Sequence, residues 1–425
     1  MATILLIGTL DTKGQELAWV RDLIAERGHR VLVLDTGILA DPVALAPDLG
    51  AALVAQAGGS TLEALRETRD RGAAVETMLA GLRVLVPRLF AERRFDGVLS
   101  LGGGGGTALA TAAMRQLPVG VPKLMVSTMA SGDTAPYVGV RDLTMMYSVV
   151  DIAGLNPLSR RILANAAGAI CGMVEQRVPA AADRPLIAAS MFGVTTPCVD
   201  EVRRRLDDAG YDVLVFHATG SGGRAMEGLI ADGWFAGVAD VTTTEWCDEV
   251  VGGILTAGPE RLSAAGRAGI PQVVSVGATD MVNFGPSDTV PPGFRTRRLY
   301  RHNPQVTLMR TTPEECREIG ARIARQLNAA RGPTVMVLPI RGVSMIDAQG
   351  QPFHDPAADH ALFDALRSEL KPPVELVEVD AHVNDPAFAE VIAGRLLGLL
   401  NRAGSPGGPA PSTLPAAAAR RPQDG

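Results

Sequence analysis

The chain has 425 residues, and at about 150 residues per domain this length predicts two or three domains. Apolar residues make up 47% and charged residues 20%, a composition typical of a soluble globular protein rather than a disordered chain. The formal net charge of -6 argues against a general nucleic-acid binder and against a protein that binds acidic membranes.

The N-terminal sequence favours a cytoplasmic protein. No basic residues precede its short apolar run, which is too short for a signal peptide, and no segment approaches the roughly 20 apolar residues of a membrane span. The four cysteines, which include no C-x-x-C pair, are typical of free thiols in a reducing compartment.

Short β-branched runs alternate with helical patterns in the first half, which is typical of a parallel sheet covered by helices. The predicted strands are residues 3–8, 31–35, 97–101 and 123–127. The predicted helices are residues 13–27 and 72–93, one beginning at Thr107, and an Ala/Gly-rich region over 151–178. Linker composition over residues 179–185 predicts a first domain of residues 1–182 and a second of 183–403.

The same rhythm restarts in the second half. Strands are predicted at residues 186–191, 213–217, 237–241, 273–276, 335–339 and 374–379, with helices between them that include 313–330 and 386–400. Residues 404–425 have no periodicity and predict a disordered tail. We therefore expect two doubly wound, Rossmann-like α/β domains with mostly parallel sheets and a cleft between them.

The loop after the first predicted strand has the residues of an anion site. Gly8 and Thr9 come before Asp11, Thr12 and Lys13, where a helix would begin. A helix N-terminus offers free N–H groups to phosphate, the threonines add hydroxyls and the lysine adds a charge. The aspartate could hold Mg²⁺ or cap the helix, and the loop could equally be an ordinary cap with a solvated lysine.

A glycine run after the third predicted strand is the strongest candidate phosphate cradle. It comprises Gly102, Gly103, Gly104, Gly105 and Gly106, and it is followed by Thr107. Glycines let the backbone approach a ligand closely, whereas a flexible linker is rare between a buried strand and an apolar helix. Neither G-x-G-x-x-G nor the Walker A pattern is present, so no standard nucleotide motif supports the assignment.

A third loop adds small and hydroxyl residues at the end of the fourth predicted strand. Ser127, Ala130, Ser131 and Gly132 belong to it. Asp35 ends the second strand, where an acidic residue can bind ribose hydroxyls or simply form a turn.

In the second half, one stretch predicts a site for a small anionic substrate. His217 ends a strand and is a candidate general acid or base, while Gly220, Gly222, Gly223 and Arg224 follow at a helix predicted to begin near the third glycine.

Two acidic residues follow two of the predicted strands of the second half. Glu245 and Asp280 are candidates for acid–base work or a magnesium site. The polar connection over residues 297–303 is expected to fold over the cleft. No H-E-x-x-H or G-x-S-x-G motif supports a zinc protease or an α/β-hydrolase.

These stretches together resemble a known family. The segments that carry the resemblance include GTLDTKGQEL, LGGGGGTALATAAMR, VFHATGSGGRAMEGLI and SVGATDMVNFGP. They are similar to bacterial, fungal and plant proteins related to the ATP-binding N-terminal region of the tomato mosaic virus resistance protein. The resemblance spans roughly residues 2–400 and implies two α/β domains with ATP held mainly by the first. It supplies no established reaction.

The sequence leaves three functional hypotheses open. The first is a cytoplasmic ATP-binding protein whose nucleotide is accompanied by Mg²⁺. The second is an ATP-dependent or hydrolytic enzyme that acts on a small anionic metabolite in the second domain. The third is a regulatory or scaffold protein that closes on nucleotide without turnover. A homo-oligomer is expected, and the 151–178 region is either its interface or a buried helix.

Overall fold

The computed structural model describes residues 1–68, 70–179 and 183–403. The described chain divides into two compact units, and the division falls between residues 179 and 183. The disordered tail predicted for residues 404–425 lies outside the described residues.

The first unit alternates strands and helices along the chain. Its elements are β1 (Thr3–Gly8), α1 (Leu10–Glu26), β2 (Arg30–Asp35), α2 (Ala51–Ala57), α3 (Leu62–Thr68), α4 (Arg71–Ala91), β3 (Gly97–Gly102), α5 (Gly104–Met114), β4 (Lys123–Ser127), α6 (Ala135–Val138), β5 (Thr144–Tyr147) and α7 (Pro157–Glu175).

All strands of the first sheet are parallel, in the order β2-β1-β3-β4-β5. The chain therefore winds from β1 outward to β2 and then returns to the other side of β1 with β3. This reversal between β1 and β3 is the topological switch point, the place in open α/β sheets where ligands bind.

Strand β1 shows why a continuous apolar run becomes a central strand. Leu5 and Ile7 enter the hydrophobic core on one face of the sheet, while Ile4 and Leu6 enter the core on the other face. Both faces are covered by helices, so the strand is buried from Ile4 to Gly8 and Thr3 is half-buried. At Gly8 a Cβ would lie 2.3 Å from Cδ1 of Leu17, so glycine lets α1 pack against the strand end.

The second unit follows the same scheme with an addition. Its elements are β6 (Leu186–Met191), α8 (Thr196–Asp208), β7 (Asp212–His217), α9 (Ser221–Ala231), β8 (Gly237–Thr242), α10 (Glu245–Val251), α11 (Ala264–Ala268), β9 (Gln272–Gly277), β10 (Met281–Phe284), β11 (Leu299–Asn303), β12 (Val306–Arg310), α12 (Pro313–Asn328), β13 (Thr334–Pro339), α13 (Pro356–Glu369), β14 (Glu375–Val379) and α14 (Pro386–Arg402).

The large sheet of the second unit is also parallel, in the order β14-β13-β9-β8-β6-β7. Its switch point lies between β6 and β8, in the same relation to the chain as in the first unit. The addition is an antiparallel sheet in the order β10-β12-β11. The predicted doubly wound, mostly parallel α/β architecture is confirmed for both units.

Several local predictions were wrong. Helix α5 begins at Gly104 rather than Thr107, and α9 begins at Ser221. The polar connection predicted over residues 297–303 contains strand β11, and β5 was not predicted. No helix within the described residues is long and apolar enough to cross a membrane.

Candidate functional site

Two of the predicted loops meet the switch point of the first unit. The loop from β1 to α1 and the glycine run from β3 to α5 both leave carboxyl ends of neighbouring parallel strands. The fold therefore brings the two loops to one edge of the sheet, where an anion would meet the starts of two helices.

The glycine run forms the start of α5. Gly103 is the N-cap residue, and Gly104, Gly105 and Gly106 make the first turn. A helix leaves the N–H groups of its first turn without intrahelical acceptors. Gly104 and Gly105 are exposed, so this end of the helix is open to solvent. At Gly102 a Cβ would lie 3.2 Å from Cα of Gly106, so that glycine serves the tight turn itself.

Arg71, at the start of α4, stands beside this turn. Its Nη2 lies 4.0 Å from the position that a Cβ on Gly105 would take. The side chain is exposed, and no carboxylate of the described residues forms an ion pair with it. A cation next to the positive end of a helix is unfavourable alone and becomes favourable when an anion binds to both.

Buried hydroxyls join the glycine run to the loop after β4. Thr107 Oγ1 lies 2.7 Å from Ser127 Oγ and donates to the carbonyl of Gly103 at 2.8 Å. The N–H of Met129 donates to Ser127 Oγ. These two predicted site residues are buried, and their hydroxyls bond to the protein itself.

The rest of the loop after β4 adjoins the glycine run. Ala130 is half-buried, and Ser131 and Gly132 are exposed. The Sδ atom of Met129 lies 3.8 Å from the position that a Cβ on Gly104 would take. Met129 therefore brings this loop against the first turn of α5, and a role for Ala130, Ser131 and Gly132 in binding stays a prediction.

The start of α1 differs, because a carboxylate of the chain already occupies it. Asp35 Oδ1 accepts the N–H groups of Leu10 at 3.0 Å and Gly37 at 2.8 Å. Burial raises the pKa of Asp35 above its ordinary value, and these hydrogen bonds offset part of that effect. Of the two uses predicted for this aspartate, the geometry favours turn formation over ribose binding.

The other polar residues of the β1–α1 loop also bond within the chain. Lys13 Nζ donates to the carbonyl of Ile152. The hydroxyls of Thr9 and Thr12 lie 2.9 Å apart. Asp11 Oδ2 accepts the N–H of Leu39, while its Oδ1 is buried without a partner among the described residues.

In the second unit, the predicted glycine cradle contains a carboxylate of the protein. The N–H groups of Gly220 and Gly223 donate to Glu245 Oε1 at 2.7 and 3.1 Å. A Cβ on Gly223 would lie 2.2 Å from Glu245 Oε2, so glycine is needed to seat this side chain. Gly222 is tight too, since its Cβ would lie 1.9 Å from the carbonyl oxygen of His217. Arg224 is exposed and donates to the carbonyl of Thr256.

Glu245 belongs to a buried network around Arg261, which the sequence did not single out. Arg261 Nε donates to Glu245 at 2.6 Å, and its Nη atoms bond to Asp240 at 2.5 and 2.7 Å and to Glu227 at 3.2 Å. The guanidinium is 1% exposed. One guanidinium therefore pairs with three carboxylates. Burial raises the pKa of Glu227 above its ordinary value.

Asp280 lies in a second buried cluster. Its Oδ2 accepts the hydroxyl of Ser344 at 2.7 Å, its Oδ1 has no partner among the described residues, and burial raises its pKa to about 6. Arg310 bonds nearby to Asp347 and Asp359. Asp280 and Glu245 are therefore held inside the protein, in separate networks.

His217 is placed differently from the two acids. It is exposed at the end of β7, and its ring centroid lies 5.3 Å from that of Phe192. Within the described part of the chain, no hydrogen bond or ion pair connects it to Glu245 or Asp280. The three predicted catalytic residues do not form one bonded constellation.

Comparison with solved structures adds no functional information. The UDP-N-acetylglucosamine 2-epimerase from Rickettsia bellii is 10% identical, and the match covers 64% of this chain and 78% of the other. The TM-score is 0.22, which is too low to support an argument about function.

The sequence comparisons are much stronger. A UPF0261 protein from Clostridium tetani is 52% identical over 401 residues, which are 94% of this chain and 99% of that protein. The ToMV resistance protein Tm-1(GCR237) of Solanum lycopersicum is 44% identical over 335 residues, 77% of this chain but 44% of the tomato protein. These findings confirm the relation to the tomato mosaic virus resistance protein that the sequence motifs indicate.

Both units also match a family description. Residues 2–179 match the N-terminal domain and residues 184–400 the C-terminal domain of the Uncharacterised protein family (UPF0261). The chain belongs to the UPF0261 family.

Proposed function

We propose that this protein binds ATP, with the phosphates against the first turn of α5 at the β1/β3 switch point. The observation that carries the proposal is the open glycine turn of Gly104 and Gly105, with Nη2 of Arg71 4.0 Å from the Cβ position of the second glycine. The sequence resemblance described above implies the same ligand.

The chemistry of the turn suits a phosphate group. The helix end supplies N–H donors and a partial positive charge, and the missing Cβ atoms let phosphate oxygens reach the backbone. Arg71 would add a charge-assisted contact. Ser131 and Gly132 are exposed in the adjoining loop and would contact the remainder of the nucleotide.

We propose that Mg²⁺ binds together with the nucleotide. The described residues contain no group of three or more His, Cys, Asp or Glu side chains that could hold a metal ion. A cation bridging ATP phosphates needs only one or two protein carboxylates, and Asp11 has a buried oxygen without a partner in the described chain.

Titration calorimetry of the full chain with ATP and Mg²⁺, and with ADP, tests the proposal. The variant to compare places a negative charge in the first turn of α5. In Gly104→Asp the added carboxylate would stand where the phosphates bind, so we expect affinity to fall about a hundredfold or more. The substitution is compatible with folding, since the nearest atom to the new Cβ is 3.8 Å away and acidic residues suit the first turn of a helix.

Gly172→Asp is the matched control. Gly172 is exposed with nothing within 4 Å of its Cβ position, and it lies near the carboxyl end of α7, whose Val174 contacts the amino end of β3. ATP affinity should stay within about twofold of the unmodified protein. Absence of heat with ATP, or equal loss in both variants, would contradict the proposal.

The enzyme hypothesis stays a prediction, as do a homo-oligomer and the cytoplasmic location. Glu245 is 1% exposed and Asp280 is fully buried, so neither carboxylate is open to a substrate in this structure. His217 alone of the three is accessible, and its surroundings support binding rather than a defined reaction.

A further inference from the structure

A cavity of about 310 Å³ lies in the second unit, outside the carboxyl ends of β6 and β7. This volume is at the lower end of the range for small-molecule sites, which is about 300–1,000 Å³. One wall is formed by residues at and just after the carboxyl ends of β6 and β7. The other wall is formed by residues of β11 and β12. The cavity adjoins strand β6, whose edge toward β8 is the switch point of the sheet.

Two histidines line this cavity. His217 ends β7 and His302 lies on β11, and neither ring forms a hydrogen bond to another described residue. By contrast, His29, His354 and His382 each bond to another group of the protein. The two imidazoles at the cavity therefore retain their full capacity to bind a ligand.

The remaining polar side chains of the lining are those of Asn303 and Thr219, and the Thr219 hydroxyl donates to the carbonyl of His217. Asn303 uses its Oδ1 to accept the N–H of Gln305, which leaves its amide Nδ2 free to donate. The backbone of Gly193 is open, with nothing within 4 Å of its Cβ position. None of the described residues that line the cavity is Asp, Glu, Lys or Arg.

The other half of the lining is apolar. It consists of Phe192, Val194, Leu255, Val306 and Leu308. A ligand that fits both halves has an apolar body and a small group that accepts hydrogen bonds from imidazole and amide donors. A bare metal ion fits less well, because no third metal-ligating side chain joins the two histidines among the described residues.

We infer that this cavity binds a small carboxylic acid with an apolar body, whose carboxylate contacts His217 and His302. The inference is independent of ATP binding in the first unit. The imidazoles supply the donors for the carboxylate, and Phe192, 5.3 Å from the His217 ring between centroids, helps to hold that ring beside the apolar wall.

The test uses phenylacetate as the probe, with the full chain labelled with ¹³C in its histidine rings. The chain has six histidines, so each ring signal can be assigned by substitution. We expect phenylacetate to shift two ring signals saturably, with a dissociation constant of about 1 mM or below. Phenylacetamide, which has the same body without the charge, should bind at least about tenfold more weakly.

The variants His217→Asn and His302→Asn should each remove one of the shifted signals and weaken phenylacetate binding about tenfold. His360→Asn is the matched control, because His360 is exposed on α13 and does not line the cavity. Its affinity should be unchanged. Equal binding of acid and amide, shifts spread over all six histidines, or no saturable shift would overturn the inference. So would ATP producing the same two shifts, since the cavity would then be part of a nucleotide site.

Discussion

The glycine turns at the starts of α5 and α9 look alike in sequence, but they differ in what fills them. At α9 the N–H groups of Gly220 and Gly223 hold Glu245, which is itself paired with Arg261. At α5 no side-chain acceptor of the described residues bonds to the glycine turn, and an exposed arginine stands beside it.

The difference separates two uses of the same backbone geometry. A turn whose N–H groups already hold an internal anion is part of the protein's own stability, because both groups are buried and satisfied. The start of α1 belongs to this class, since Asp35 accepts the N–H of Leu10. A solvent-exposed turn beside an arginine that pairs with no carboxylate of the described residues is available to an external anion, which is why we propose that ATP binds at α5.

The largest expected effect is on stability, from substitution of Arg261, which pairs with the Glu245 carboxylate held by the α9 turn. In Arg261→Leu three carboxylates would lose their shared cation, and we expect the free energy of unfolding to fall by about 3–5 kcal/mol. Urea unfolding followed by circular dichroism measures this change.

Arg267→Leu is the control for that loss. Arg267 pairs with Glu260 on the surface, with side-chain exposures of 61% and 70%. Exposed pairs contribute about 1 kcal/mol or less, so the change should be small. Similar losses in the two variants would show that the Arg261 network is not what seats Glu245.

Matched glycine-to-alanine substitutions compare the α9 turn with the α5 turn directly. They should change the free energy of unfolding less than Arg261→Leu does. In Gly223→Ala the Cβ would lie 2.2 Å from Glu245 Oε2, and the carboxylate is fixed by Arg261 and cannot move away. We expect the unfolding free energy to fall by about 1–3 kcal/mol. Gly105→Ala has only Arg71 Nη2 at 4.0 Å, so we expect a gain of up to about 1 kcal/mol from helix propensity.

Thermal unfolding of both variants gives the sign of each change. Changes of opposite sign in stability would support a turn occupied by Glu245 at α9 and a turn without a bound side chain of the described residues at α5. Destabilisation by Gly105→Ala comparable to that of Gly223→Ala would mean that the α5 turn is as crowded as the other.

The sequence predicted the two turns but could not distinguish them. Buried apolar runs gave the strands, and glycines at strand ends gave the candidate loops. The residues that fill a turn come from elsewhere, however: Asp35 is 25 positions from Leu10, and Arg261 is 16 from Glu245. Only the strand order brings such pairs together, and no local pattern marks them.

Strand β11 was missed for a physical reason. Strand β11 is polar and mostly exposed, with only Leu299 and Tyr300 half-buried, so it lacks the apolar alternation that predicts a strand. Its pairing with β12 supplies the order instead. Without strand β11 the sequence could place residues 297–303 over a cleft, but it could not place His302 at the same cavity as His217.

The smallest predicted effect concerns Arg71. Its guanidinium is exposed, so its attraction for phosphate is screened by solvent and should contribute about 0.2–1 kcal/mol. Arg71→Gln should therefore weaken ATP binding by up to about fivefold, with a smaller difference at high salt. Titration calorimetry at two salt concentrations measures both effects.

Arg83→Gln makes the same charge change on the same helix at the opposite end of α5. Burial and then the charge of Arg83 lower the pKa of Arg115, the residue that follows the last turn of α5. We expect this control to leave ATP affinity unchanged. If Gly104→Asp abolishes binding while Arg71→Gln has no effect at low salt, the phosphates contact the backbone turn alone. The unpaired arginine would then be no part of what distinguishes α5 from α9, and the open N–H groups of its glycines would suffice.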